Sequence, residues 1–235
     1  MRICQITNIS FNYKKFLSPL CIALTNQGYD VSVAFNNVEN EFLADKQEGI
    51  KFYSLKIFRT YSPVKHIRST IEMIKFFSKH KFDQVQIHTP SAAISARIAA
   101  FICRIPIIGY TAHGFYFHEN MNIFKRLMHM GMEFTLAKIS TYIMTQSKED
   151  YKTSIKYKFK NKKDVYYIGN GVNNKNFFPA NKEEKFLAKK KFDLRKDSFV
   201  ISIVARLVQE KGILELYEAV NQLLEELNVD IQLLV

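Results

Sequence analysis

Two stretches of this sequence carry residue types that can do chemistry. In Ala205-Arg206-Leu207-Val208-Gln209-Glu210-Lys211-Gly212, two cations follow the apolar run Phe199–Val204 and precede an amphipathic stretch. Cations at a helix N-terminus, at the carboxyl edge of a strand, make an anion site. The helix dipole and the unpaired backbone N–H groups favour the same negative charge. An exposed pair of cations, partly neutralised by Glu210, has the same signature in sequence. The second stretch, Thr111-Ala112-His113-Gly114-Phe115-Tyr116-Phe117-His118-Glu119, ends another apolar run. An imidazole there, followed by glycine, can approach a ligand closely, because open α/β sheets bind at the carboxyl ends of their strands. On position alone, a His113 that hydrogen-bonds its own loop is the alternative.

Other chemistries lack their residues. His118-Glu119 has no H-x-x-x-H partner, so no metal site is expected. Cys4, Cys21 and Cys103 lack metal-like spacing and do not form a disulfide framework. They read as small apolar side chains of a cytosolic protein. A dinucleotide fingerprint needs glycines in the first strand–helix turn, and Asn8–Asn12 has none. The G-x-G at Gly169–Gly171 is followed by Asn at 174, and no Walker A loop is present.

The elements that must position these residues alternate along the chain. Strands are expected at Arg2–Thr7, Asp30–Phe35, Lys51–Leu55, Phe82–His88, Ile105–Ala112, Thr141–Thr145 and Val165–Ile168. Between them, helical periodicity puts Phe16, Leu20, Ala23 and Leu24 on one face before Gly28 stops the helix. Ser62-Pro63 opens a second helix with Val64, Ile67, Ile71 and Ile74 on one face, and Lys65, Arg68, Lys75 and Lys79 largely away from it. Further helices follow at Ser91–Cys103, Asn122–Lys138 and Lys148–Lys160. This rhythm predicts an α/β fold with a doubly wound, Rossmann-like parallel sheet. After Gly169-Asn170-Gly171-Val172 the texture becomes turn-rich up to Pro179. A polar helix (Lys182–Lys191), a strand (Phe199–Val204), an amphipathic helix (Gly212–Leu227) and a strand (Asp230–Val235) complete the chain. A lone β-α-β unit exposes a sheet edge and face. One complete α/β domain and the opening of a second are therefore expected.

The 235 residues carry a formal charge of +12, with 47% hydrophobic and 24% charged residues, an ordinary globular composition. The apolar stretch from Ala92 to Ile108 is interrupted by Arg97 and Arg104, short of the about 20 residues a membrane span needs. The start, MRICQITN, is not a signal peptide. Residues 1–180 hold 25 Lys/Arg against 12 Asp/Glu, a net +13, and residues 181–235 hold 9 against 10, a net −1. The excess therefore belongs to one region. Such a surface suits nucleic acid, anionic lipid or a sugar phosphate, or is a solvated Lys-rich face. No nucleic-acid-binding module is visible, so nucleic acid is not an expected partner.

Three segments, Y-T-A-H-G-F-Y-F-H-E, I-G-N-G-V-N-N-K-N-F-F-P and V-A-R-L-V-Q-E-K-G-I, occur in an order that resembles family 4 glycosyltransferases of the GT-B fold. More narrowly, they are similar to bacterial enzymes that build capsule, O-antigen or glycoprotein glycans on lipid carriers. The resemblance implies an N-terminal acceptor-side domain over 1–172, an interdomain connection and polar helix over 173–197, and the start of a nucleotide-sugar-binding domain over 198–235. It implies a retaining, metal-independent transfer of a hexose or N-acetylhexosamine from a nucleotide sugar to a lipid-linked glycan. No cofactor beyond the donor is implied. Arg206 and Lys211 match the donor-diphosphate cations, and His113 matches the catalytic cleft histidine. Asn8, Ser10, Phe11, Gly114 and Phe115 fall on the acceptor side of the cleft, and Gly169 and Gly171 at the hinge.

Two departures from the family pattern bear on these expectations. The Gly-Gly pair many members carry in the first turn is replaced by Asn8–Asn12. The E-x7-E element would lie downstream of Val235, so this chain alone is expected to be inactive, with a C-terminal half as its partner. A lipid-linked acceptor would place the protein on the inner face of the cytoplasmic membrane, peripherally. Lys65, Arg68, Lys75, Lys79, Lys125 and Arg126 could face anionic headgroups, with Phe76, Phe77, Met128 and Met130 inserting. The rival reading is a non-catalytic membrane- or partner-binding module made from such a domain.

Overall fold

The structure, a computed structural model, describes residues 1–36, 49–58, 62–119, 121–227 and 230–235. The chain divides into two compact units, Met1–Gly171 and Val172–Val235.

The first unit is built on a seven-stranded parallel sheet ordered β3-β2-β1-β4-β5-β6-β7. The strands are β1 (Arg2–Ile9), β2 (Asp30–Asn36), β3 (Ile50–Ser54), β4 (Gln84–His88), β5 (Ile107–Ala112), β6 (Tyr142–Thr145) and β7 (Val165–Tyr167). The order reverses between β1 and β4, which is the switch point of a doubly wound sheet. Strand positions follow the expected pattern to within a few residues. The inner apolar residues of β1, β2 and β4 are buried, as interior parallel strands require, while the edge strands β3 and β7 are partly exposed.

Helices cover the two faces unequally. Helix α1 (Ser10–Asn12) runs through a π-helical turn (Tyr13–Leu17) into α2 (Ser18–Asn26), which packs on β2 and β3. Their core is Tyr13, Leu17 and Cys21 against Val31, Val33, Phe35 and Ile50. This corrects the expected face: Phe16, Leu20 and Ala23 are exposed. The wider π turn shifts the helical phase, so the stripe Tyr13-Leu17-Cys21, spaced four residues apart, faces inward instead. The opposite face carries α3 (Pro63–His80), α4 (Pro90–Ile102), α5 (Ile123–Lys138) and α6 (Lys148–Lys156). Its core joins Ile6, Val85, Ile87, Tyr110 and Ile143 to the alanines of α4. Small side chains let α4 lie close on the sheet.

Helix α3 also differs from expectation. Its buried residues are Ser69, Met73, Phe76 and Phe77, while Val64, Ile67 and Ile71 are exposed beside Lys65, Arg68, Lys75 and Lys79. Phe76 and Phe77 are core residues packed near Phe82, not membrane-inserting ones. Two rings outcompete three aliphatic side chains for the available space, because each buries a larger apolar area.

Arg97 stands inside the alanine-rich α4 and is fully buried. Its guanidinium donates to both carboxylate oxygens of Glu133 on α5, at 3.1 and 2.9 Å, and lies 4.1 Å from the Tyr110 ring centroid. Its Nε donates to the Ala93 carbonyl at 3.1 Å. The pair ties α4 to α5 at a fixed distance.

The second unit holds α7 (Lys182–Lys191), β8 (Phe199–Ser202), α8 (Ile213–Glu226) and β9 (Ile231–Leu234), with β8 and β9 parallel. β8, α8 and β9 form a parallel β-α-β unit, as the alternation of their sequence leads one to expect. Asn181 and Glu184 form a capping box on α7. On α8, Val220 is buried, whereas Tyr217, Leu224 and Leu227 of the expected inward face are exposed.

Candidate functional site

His113 follows the last residue of β5, and Gly114 turns the chain there with φ +114°. The residue is open to solvent on one side, while its ring turns inward and its Nε2 lies 3.2 Å from Nδ1 of His88, a buried residue at the end of β4. Nε2 of His88 lies 2.8 Å from the Gln5 carboxamide oxygen. Burial, with the adjacent His113 adding to it, pushes the His88 pKa down to about 3. His88 is therefore neutral. Since Gln5 Oε1 only accepts, His88 Nε2 carries the proton and Nδ1 accepts. His113 must then donate from Nε2, which leaves its Nδ1 as the acceptor atom. Burial also lowers the His113 pKa, and a hydrogen bond with the Gln146 side chain partly offsets this.

The loop after His113 is held from α6. Asp150 donates its backbone N–H to Ser147 Oγ at 2.9 Å, and burial raises its carboxyl pKa above the usual value, offset in part by hydrogen bonding with the Phe115 backbone and the Ser147 side chain. The Phe115 ring stacks on Phe117 at 5.2 Å and meets Phe159 edge-on at 5.6 Å. Its ring packs against the core, so Phe115 anchors the loop. Neither Asp150 nor His88 was singled out from the sequence.

A polar row runs across the sheet beside this pair. Gln5, Gln86, Gly109 and Tyr142 are successive register partners on β1, β4, β5 and β6. Tyr142 donates to Gln86 Oε1 at 2.5 Å, Gln84 donates to the Tyr142 hydroxyl at 2.8 Å, and Gln86 donates to Thr111 Oγ1 at 2.8 Å. Gly109 makes this possible: a Cβ there would collide with Gln86 Oε1 and lie 2.5 Å from the Tyr142 hydroxyl. The row floors a groove of about 520 Å³ that reaches His88, His113, Gly169 and Gly171.

Of the remaining first-unit residues, Asn8 is 6% exposed at the end of β1 and donates from Nδ2 to Ser91 Oγ at 2.6 Å. Ser10 is half-buried, and Phe11 is exposed in α1. Gly169 takes φ +63° after β7, and Gly171 is the last residue of the first unit.

Arg206 and Lys211 lie in the second unit, both exposed, between β8 and α8. A short 3₁₀ turn, Gln209–Lys211, leads to Gly212, whose φ of +66° starts α8. Lys211 donates its backbone N–H to the Val208 carbonyl at 3.0 Å, and Gly212 to Gln209 at 3.0 Å. Lys211 thus stands two residues before the start of α8, and Arg206 seven residues before it. The Glu210 side chain lies outside the described residues.

Residues 2–147 match the glycosyl transferase 4-like family model. The chain belongs to that family. It is 29% identical over 205 residues to the Escherichia coli UDP-Gal:alpha-D-GlcNAc-diphosphoundecaprenol alpha-1,3-galactosyltransferase, covering 86% of this chain and 52% of that one. To the Staphylococcus aureus capsular polysaccharide biosynthesis glycosyltransferase CapM it is 33% identical over 162 residues, covering 65% and 40%. The chain therefore spans about half the length, or less, of these relatives. Among solved structures, Anabaena HepE in complex with UDP-glucose superposes with a TM-score of 0.68 at 16% identity, over 100% of this chain and 60% of that one. That likeness identifies the GT-B fold.

Proposed function

We propose that this family 4-like chain supplies the acceptor side and the donor-diphosphate cations of a glycosyltransferase. The reaction is transfer of a hexose or N-acetylhexosamine from a nucleotide sugar to a lipid-linked glycan in cell-surface polysaccharide assembly. The family match over residues 2–147 carries this reading. The names of the E. coli relative, with its lipid diphosphate, and of the UDP-glucose-bound HepE support the substrate classes.

In this reading Arg206 and Lys211 bind the donor diphosphate and neutralise charge as it develops on the leaving nucleotide, helped by the α8 N-terminus. Two fixed cations can do this without a metal ion. His113, neutral and oriented by His88, presents its Nδ1 lone pair at a defined angle to a hydroxyl of the donor sugar. Transfer retains the anomeric configuration. Gly169 and Gly171 provide the hinge whose closure excludes water. The remaining donor contacts come from a further segment of the length the relatives have beyond this chain, and the chain alone is inactive.

The acceptor would be met at the inner face of the cytoplasmic membrane. Among the described residues no helix is long and apolar enough to cross one. Helix α3 exposes Val64, Ile67 and Ile71 amid Lys65, Arg68, Lys75 and Lys79. Helix α5 exposes Ile123, Phe124, Leu127 and Met128 beside Lys125, with Phe124 77% exposed. Apolar stripes edged by cations fit an anionic bilayer, each cation contributing about 1 kcal/mol.

The test is a screen of UDP- and GDP-sugars with an undecaprenyl-diphosphate N-acetylglucosamine acceptor. The chain is assayed alone and co-expressed with a C-terminal donor-side segment. Transfer that appears only with the segment, with the product anomer matching the donor's and EDTA without effect, is the expected result. Binding to anionic vesicles with no transfer in any combination favours the rival non-catalytic module.

A further inference from the structure

A crevice of about 460 Å³ lies between α6 and the edge strand β7, and it shares no lining residue with the groove over His88 and His113. Lys148, Tyr151 and Lys152 of α6 line it, with Val165, Tyr166 and Tyr167 of β7. We propose that it binds an acidic glycan, a uronate-bearing stretch of polysaccharide, outside the transfer site. Naming that glycan as one this chain helps to assemble rests on the transfer reading; its binding to the crevice does not.

The cations around the crevice are in excess of what the fold uses. Residues 148–164 hold seven lysines and no arginine, against Glu149, Asp150 and Asp164. Lys160 serves the fold, donating from Nζ to the Ser140 carbonyl at 2.6 Å. Lys148, Lys152, Lys156, Lys162 and Lys163 are exposed, and among the described residues none of them reaches a carboxylate. Helix stability does not account for these five. Lys148 is the first residue of α6, where a cation opposes the helix dipole. Lys148, Lys152 and Lys156 recur every four residues, a spacing at which like charges repel. Edge protection does not account for them either. Strand β7 has three residues, too few to invite strand pairing, and carries no lysine of its own. Residues that break local rules with no return in stability point to a binding surface.

The side chains between the cations decide the ligand class. Tyr166 and Tyr167 are 48% and 47% exposed. A tyrosine offers a ring to the C–H face of a pyranose and a hydroxyl to the sugar's own hydroxyls. Lys148 and Lys152, one helical turn apart, set two point charges beside those rings. An acidic polysaccharide carries carboxylates on rings with apolar faces, so charge and apolar surface alternate in the ligand as they do in the crevice. A bilayer fits poorly, because the only aliphatic side chain among the lining residues, Val165, is buried. A phosphate backbone fits less well than a polyuronate. Forked recognition of phosphate belongs to arginine, and every cation here is a lysine.

Calorimetric titration of the whole chain with alginate oligomers tests this. Dextran oligomers of the same length, oligouridylate and anionic vesicles are the comparison ligands. Saturable alginate binding in the micromolar to millimolar range is expected, weakening at least tenfold between about 0.01 and 0.15 M salt. Dextran is expected not to bind. The double variant Lys148→Glu, Lys152→Glu is expected to lose at least tenfold in affinity. Tyr167→Ala is expected to lose at least threefold and to keep the salt dependence. Each variant is checked against the wild-type melting temperature, and Tyr166→Ala replaces a Tyr167→Ala that fails to fold. The proposal is overturned by the absence of saturable alginate binding, by dextran or oligouridylate binding as tightly as alginate, by vesicle binding without alginate binding, or by folded variants that bind as the wild type does. Alginate binding lost in the variants, in a protein that transfers no sugar, leaves this site standing and removes the transfer reading. Sugar transfer without alginate binding does the reverse.

Discussion

His88 Nδ1 and His113 Nε2 lie 3.2 Å apart, with His88 clamped on its other side by Gln5. One histidine is buried and holds the other at the edge of the sheet. This is how a side chain on an exposed loop acquires a fixed tautomer, and it generates the first expectation.

The His88 pKa falls from 6.5 to about 3 on folding. Between those values the unfolded chain binds more protons, so stability rises with pH. The contribution is complete above pH 6.5 and is lost as pH falls towards 3, at about 1.4 kcal/mol per unit. In His88→Gln that slope is expected to shrink by about one proton's worth between pH 4 and 6, read from urea unfolding. An unchanged slope means His88 is not the buried neutral group.

Gly109→Ala puts a methyl group where Tyr142 and Gln86 meet. It is expected to cost about 2–3 kcal/mol, through overpacking and a broken buried hydrogen bond. The urea midpoint measures it. A loss under 0.5 kcal/mol shows that the polar row yields freely.

Arg97→Met leaves Glu133 buried and charged, at an expected cost of about 3–5 kcal/mol. Adding Glu133→Leu to Arg97→Met is expected to recover most of it, because the uncompensated charge is gone. A double variant as unstable as the single one would show that Arg97 acts through packing alone.

Ile67→Glu and Phe124→Glu alter exposed residues and are expected to change stability by less than about 0.5 kcal/mol. Pelleting with anionic vesicles is expected to fall at least tenfold, and replacing Lys65, Arg68 and Lys75 by Glu to abolish its salt sensitivity. Unaltered pelleting in both sets removes the membrane face from α3 and α5.

Strand and helix positions were legible because their signals are local: apolar runs, caps and the Gly and Pro at their ends. The inward faces of α2 and α3 were less so. On α3 the stripe Val64-Ile67-Ile71 is as regular as Met73-Phe76-Phe77 is bulky, and side-chain size determined which was buried. His88 did leave a trace. Gln84, Gln86 and His88 alternate with Val85 and Ile87, an unusual polar face for a central parallel strand. The cavity between the carboxyl ends of β1 and β4 left none, since Asn8, His66, Thr89 and Met132 meet only through tertiary packing.

Sugar transfer by the Arg206→Ala, Lys211→Ala double variant tests the central claim most directly. The protein is completed with a donor-side segment and assayed with a UDP-sugar and a lipid-diphosphate N-acetylglucosamine acceptor. Turnover is expected to fall by about a hundredfold or more, since the diphosphate loses both fixed cations. Turnover within twofold of the unmodified protein contradicts the claim.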